Sequence, residues 1–324
     1  MLNDGHDPTL GGVHGFLLEI KNATKTFSSK QGPAISSVSF NVGNGEVVGF
    51  VGLNGAGKTT TIRIAVGVSL PTAGTVVVDG HDITVEKPEA SRSIGWVPEI
   101  PNFEPNAKAW GLMRYFAGFY GIDSAEAKKR SKDLLVTMGL SGFENRKIRT
   151  YSQGMKKRFS LAVSMLTDPQ NFLFDEVLNG LDPEGIHFFR ELMMEEKKKN
   201  KAILLSSHIL TEVENLADRV VFIHKGKIVK TANRDDLAAA SRSAGTLRIV
   251  LQAVTEDVLA YVKTLGGTVR VEGTSILLSG FQGDSSKVNA EMVGRGFPVQ
   301  EIRYEKTGLE EYFLRLIREV DTVR

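Results

Sequence analysis

Val47-Val48-Gly49-Phe50-Val51-Gly52-Leu53-Asn54-Gly55-Ala56-Gly57-Lys58-Thr59-Thr60 is the stretch on which the fold turns. Its first five residues form an unbroken apolar run that ends at a glycine loop, which predicts a buried strand. From Gly52 to Thr59 the chain fits G-x-x-x-x-G-K-[ST], placed after that strand and before a helical stretch. Such glycines let successive backbone N–H groups wrap an anionic phosphate, and the helix start turns its positive dipole end toward the same point. Lys58 can then reach terminal phosphates and Thr59 can ligate Mg²⁺. Asn54, Gly55, Gly57, Lys58, Thr59 and Thr60 are the candidate contacts.

Upstream, Val38, Phe40 and Val42 alternate before an Asn44-Gly45 turn, and Val76 to Val78 end at Asp79-Gly80. Both patterns predict β-hairpin structure. Between about 101 and 165 the period becomes helical, with Ala109, Leu112, Met113, Phe116 and Phe119, then Leu134, Leu135 and Met138. Asp123 followed by Glu126 offers a capping start for the second helix. Asn171 to Phe174, Ala202 to Leu205 and Val220 to Ile223 are short apolar runs separated by helical stretches, which predicts parallel strands covered on both faces.

A carboxylate pair closes the first of these runs, in Phe172-Leu173-Phe174-Asp175-Glu176. An Asp there can hold the Mg²⁺ shell, and Glu176 beside it can orient and deprotonate an attacking water.

The order of these stations resembles the ATP-binding cassette ATPases over residues of about 16 to 231. Tyr151-Ser152-Gln153-Gly154-Met155 resembles the LSGGQ motif, Asn179-Gly180-Leu181-Asp182 the D-loop, and Ser207-His208 the switch histidine. By the resemblance, Phe27 sits where an aromatic stacks on adenine, and Glu99, in Ile94-Gly95-Trp96-Val97-Pro98-Glu99, stands where the family has the Q-loop glutamine. The resemblance implies ATP and Mg²⁺ as cofactors, Glu176, His208 and Lys58 as catalytic residues, and Thr59, Asp175 and Glu99 at the metal. Ser152 and Gly154 would serve the nucleotide of a second copy in a head-to-tail dimer, or of a paralogous ATPase subunit.

Residues 238–245 (Ala-Ala-Ala-Ser-Arg-Ser-Ala-Gly) have the composition of a linker, and a β-α-β-β-α-β order follows. The expected organisation is a disordered lead-in at 1–15, a nucleotide domain at 16–237 with its helical insertion at about 101–165, the linker, and an accessory domain at 246–324. The closing Leu309-Glu310-Glu311-Tyr312-Phe313-Leu314 is similar to the LED-x-F-L ending of drug-exporter subunits. The implied fold is an α/β P-loop NTPase core with an antiparallel β-subdomain and helical insertion, plus a small ferredoxin-like α/β domain.

Composition narrows the partners. A net charge of +2 gives no reason to expect nucleic-acid binding, and the absence of cysteine excludes disulfides and thiolate metal sites and favours the cytosol. No apolar run approaches the roughly 18 to 20 residues of a membrane helix. The resemblance therefore implies a peripheral protein on the inner face of the membrane, powering an exporter through an integral membrane permease subunit. Phe103, Trp110 and Tyr115 of the helical insertion are candidates for receiving that subunit. Glu195 to Lys201 reads as a solvated helix end. The alternative function is a soluble non-transport cassette ATPase or a nucleotide-dependent regulatory module.

Overall fold

The computed structural model describes residues 16–322 other than 29, 31, 244, 282, 306 and 307. The expected disordered lead-in, 1–15, lies outside the described residues. In chain order the elements are β1 (Phe16–Lys25), β2 (Ile35–Gly43), β3 (Val47–Val51), α1 (Lys58–Ala65), β4 (Ala73–Val78), β5 (His81–Asp82), α2 (Lys87–Arg92), β6 (Ile94–Val97), α3 (Ala109–Phe119) and α4 (Ser124–Thr137). There follow α5 (Gln153–Ser164), β7 (Asn171–Asp175), α6 (Pro183–Lys198), β8 (Ala202–Ser207), α7 (Leu210–Leu216), β9 (Arg219–His224), β10 (Lys227–Asn233) and α8 (Arg234–Ser243). The remainder is β11 (Thr246–Leu251), α9 (Glu256–Thr264), β12 (Thr268–Glu272), β13 (Ser275–Ser279), α10 (Ser285–Gly294), β14 (Val299–Glu305) and α11 (Leu309–Thr322).

The apolar run Val47–Val51 is β3, buried at every residue, as are β7 and β8. It lies inside a six-stranded sheet of order β10-β9-β3-β8-β7-β6. β3 pairs in parallel with both β8 and β9, and β7 with β8 and β6. Strands of that kind need cover on both faces, hence their lack of polar alternation. Because they run the same way, Val51, Asp175 and Ser207 end at one edge of the sheet, where Val51 aligns with Ser207 and Asp175 with Ser206. Ligands of open α/β sheets bind beyond that edge.

The second sheet, β2-β1-β4-β5, is antiparallel. Its β4–β5 turn is Asp79-Gly80, both at positive φ (51° and 83°), the two-residue geometry that suits a tight hairpin. In the helical insertion the Asp123 carboxylate accepts from the N–H groups of Ala125 and Glu126 and starts α4. Along α3, Ala109, Met113 and Ala117 are buried on one stripe. Phe119, grouped by periodicity with that stripe, is 77% exposed.

Two compact units result, one made of residues up to Ile209 with Leu216–Thr231, the other of Leu210–Asn215 with Ala232–Arg324. In the second, the sheet order β12-β13-β11-β14 with antiparallel pairing throughout is the ferredoxin-like arrangement. Leu247, Ile249, Leu278, Val258, Val262 and Met292 fill its core. The stretch expected as a linker, 238–245, falls largely within α8. Alanines favour the helix, and a reciprocal cap starts it: Asp236 N–H donates to Asn233 Oδ1 (2.8 Å) and Asn233 N–H to Asp236 Oδ2 (3.1 Å). The Glu195–Lys201 run also differs from expectation. Glu196 is buried and pairs with Lys201 at 2.9 Å and Lys199 at 2.6 Å, because the chain reverses at Asn200 (φ 62°) and carries Lys201 inward.

Candidate functional site

A cleft of about 350 Å³ opens at the carboxyl edge of the parallel sheet. Asn54, Gly55, Gly57, Lys58, Thr59, Thr60, Glu99, Glu176 and His208 line it, together with Ala34 and Asn179. Gly57, the residue before α1, has φ 112° and caps the helix with no side chain, so the first N–H groups of α1 have no side-chain acceptor from the cap. A Cβ there would lie 2.6 Å from Ile35 Cγ2, so both its conformation and its packing require glycine. At Gly52 an added Cβ would meet the Ile223 carbonyl oxygen at 2.5 Å, so the close approach of the loop to β9 requires glycine there.

Glu176 is the most constrained group in the cleft. One carboxylate oxygen lies 3.1 Å from Lys58 Nζ. The other accepts from the His208 backbone N–H (3.2 Å) and Asn179 Nδ2 (3.3 Å) and lies 2.8 Å from His208 Nδ1. Its backbone has φ 50°, a left-handed conformation that costs a non-glycine residue on the order of 1–3 kcal/mol. Lys58 also donates to the Gly52 carbonyl at 2.6 Å. A buried carboxylate held by donors on one side of an open cleft can accept a proton from a water placed there.

Asp175 is 2% exposed, and its Oδ1 accepts from Ser206 Oγ at 2.9 Å and Thr59 Oγ1 at 3.2 Å. Burial pushes its carboxyl above the usual carboxylate range, and the charges of Glu176 and Glu99 push the same way. Thr59, Asp175 and Glu99 thus offer only oxygen donors around a carboxylate whose charge a cation would relieve, a set that fits Mg²⁺. Among the described residues no group of three or more His, Cys, Asp or Glu forms a metal cage, which leaves the remaining ligand positions to phosphate and water.

Two contributors were not visible in the sequence reading. Ser206 fixes both acids, since its hydroxyl bonds Asp175 and also accepts the Glu176 N–H at 3.1 Å. Lys157 is 6% exposed, with its ammonium on the main-chain carbonyls of Glu176, Val177 and Asn179. In Lys156-Lys157-Arg158 it reads as surface charge; the available signal was its phase, four residues before buried Leu161 on α5.

Four predicted residues do not line the cleft: Asp175 is buried and reaches the lining only through its Thr59 contact, and Ser152, Gly154 and Phe27 lie elsewhere. The Ser152 hydroxyl caps α5 by accepting from Met155 N–H at 3.2 Å, and a Cβ at Gly154 would meet only that hydroxyl, at 4.0 Å. Phe27 lies just beyond β1 rather than on it, 67% exposed, with Lys25 Nζ 5.2 Å from its ring centroid. Its exposure excludes a core role.

The phosphate-type loop, the carboxylate pair and the histidine, brought to one edge of a parallel sheet beside a helical insertion, define a cassette-type nucleotide-binding protein. A family model described as ABC transporter matches residues 35–179. The bacitracin transport ATP-binding protein BcrA of Bacillus licheniformis is 33% identical over 309 residues, covering 93% of this chain and 97% of its own length. The linearmycin resistance ATP-binding protein LnrL of Bacillus subtilis (strain 168) is 27% identical over 306 residues, covering 93% and 98%. A solved ATP-binding subunit of an ABC transporter superposes with a TM-score of 0.64 at 32% identity, over 69% of this chain and 92% of that one. The chain belongs to the ATP-binding proteins of the ABC transporter family. No helix among the described residues is long and apolar enough to cross a membrane.

Proposed function

We propose that this chain is the ATP-hydrolysing subunit of an exporter, working from the inner face of the membrane through separate permease subunits. The observation that carries the reading is the Glu176 carboxylate set between Lys58 Nζ and His208 Nδ1, in the cleft formed by the glycine loop. The named roles of the relatives in bacitracin transport and linearmycin resistance support the direction of transport.

In this reading the N–H groups from Asn54 to Thr60 bind the phosphates, and Lys58 exchanges its Glu176 contact for β- and γ-phosphate oxygens. Glu176 then takes a proton from a water that attacks the γ-phosphorus, and the bond to the β-phosphate oxygen breaks to leave ADP and phosphate. His208 keeps the carboxylate oriented through its Nδ1 contact. Thr59 and Asp175 would hold Mg²⁺, with Glu99 as a further oxygen donor, and the ion would supply charge neutralisation at the phosphates. Phe27 is available to stack on adenine. Ser152 and Gly154 of a second copy, or of a paralogous subunit, close the nucleotide from the opposite side.

The helical insertion is the proposed seat of the permease. A groove of about 380 Å³ runs along it, lined by Trp96, Pro101, Phe103, Phe116, Phe119 and Tyr120. Trp96, which packs against the core, has its Nε1 buried with no hydrogen-bond partner among the described residues.

Glu176→Gln keeps the size and most hydrogen bonding of the side chain but removes the base. ATP binding should persist while turnover falls roughly 10²-fold or more, measured by phosphate release. Turnover at the wild-type rate would overturn the base assignment.

A further inference from the structure

Glu176 can act only if its strained turn is kept in place, and the segment that keeps it is not part of the phosphate loop. The Glu176 N–H is anchored to the Ser206 carbonyl at 3.2 Å and the Ser206 hydroxyl at 3.1 Å. The residues after it leave the sheet and make few bonds of their own: Asn179 N–H to the Glu176 carbonyl at 3.2 Å and Leu181 N–H to the Leu178 carbonyl at 3.3 Å. Buried carbonyls need donors. Lys157 supplies them, with Nζ 2.8 Å from the Val177 oxygen, 3.4 Å from the Glu176 oxygen, and bonded also to the Asn179 oxygen.

That ammonium is almost wholly buried, which a lysine tolerates only when its donors are used. Burial lowers its proton affinity, while Glu99 and Glu176 work in the opposite direction. Its stem belongs to α5, the same helix whose first turn is capped by Ser152. The hydroxyl proposed to meet one nucleotide and the cation that fastens the base for another are therefore five positions apart on the chain.

We propose that Lys157 is a positioning residue that fixes the Glu176–Asn179 turn and ties it to the helix presenting Ser152, so that the two nucleotide sites served by one chain move together. This rests on the ATPase reading for its second half, whereas the fastening of the turn does not. A surface lysine exchanged without consequence would have its head in water; this one satisfies three main-chain acceptors.

The test is amide hydrogen exchange on the full chain, without nucleotide, in wild type, Lys157→Met and Lys157→Gln. Methionine fills the same volume without a donor, and glutamine keeps two N–H donors on a shorter stem. Peptides covering residues 176–182 should exchange about ten-fold faster in Lys157→Met and by a smaller factor in Lys157→Gln, with peptides of α1 unchanged. In ATPase assays kcat should fall about ten-fold with KM within about two-fold of wild type, because the loss concerns the reacting geometry and not nucleotide binding. Wild-type exchange at 176–182 in either folded variant would overturn the proposal, as would uniform acceleration across the whole unit. A wild-type chain that binds ATP and never hydrolyses it would contradict the ATPase reading instead, with the exchange data still deciding on Lys157.

Discussion

In the proposed function Asp175 would bind a cation at the expense of the free protein. Its carboxyl is pushed up chiefly by burial, so the folded state disfavours the ionised form. A group raised in this way favours folding only below its unfolded value, and that contribution is lost as pH rises through the folded one. At neutral pH it therefore opposes folding. Asp175→Asn keeps an oxygen for the hydroxyls of Thr59 and Ser206 without the charge. The thermal midpoint without Mg²⁺ and nucleotide should rise by about 2–4 °C for each 1 kcal/mol recovered, while the further stabilisation by Mg-ATP should largely vanish. A lower midpoint in the free variant, measured by calorimetry, would contradict this account. At this scale the sequence was informative where spacing encodes chemistry, as in Gly52–Thr59 and Asp175-Glu176. It was silent where burial is tertiary: Lys157 and Glu196 sit in charged runs whose composition says solvent, and only the packing of α5 and α6 carries them inside.

Among the elements, β3, β7 and β8 were legible because strands covered on both faces lose their polar positions, and the β-α-β-β-α-β order of the second unit was legible because its strands alternate. α8 was not, since Ala, Ser and Gly describe a linker as well as a helix until the cap at Asn233 and Asp236 is seen. The helical insertion divides its aromatics in a way periodicity did not. Phe103 packs edge-on against Phe159 at 4.9 Å and Phe116 at 6.1 Å, whereas Tyr115 and Phe119 are 65% and 77% exposed. Phe119 lines the apolar groove, and exposed aromatics of this kind fit a partner surface. Tyr115→Glu and Phe119→Glu should leave the purified chain folded and its ATPase within about two-fold of wild type, as surface changes do, while releasing the protein from native membranes into the soluble fraction. Retention on the membrane with both substitutions present would remove this face from consideration.

For the whole molecule, the proposed function makes one chain half of each site. Lys58, Thr59 and Glu176 line the cleft, with Asp175 buried against Thr59, while Ser152 and Gly154 stand outside its lining and, in the proposed function, would serve the nucleotide of another copy. The γ-phosphate would give charge-assisted contacts to both copies, so ATP should close the pair and hydrolysis should loosen it. The substitution of Gln153 for a glycine of the LSGGQ pattern leaves the Ser152 hydroxyl and the Gly154 backbone available for this role. The direct measurement is the solution mass of Glu176→Gln by size-exclusion chromatography with light scattering, with and without ATP, beside the same protein carrying Ser152→Ala. The account predicts a monomer without ATP, a stable dimer with it, and a weakened dimer once Ser152 is removed. A Glu176→Gln protein that binds ATP tightly and stays monomeric, even beside its membrane subunits, would contradict it.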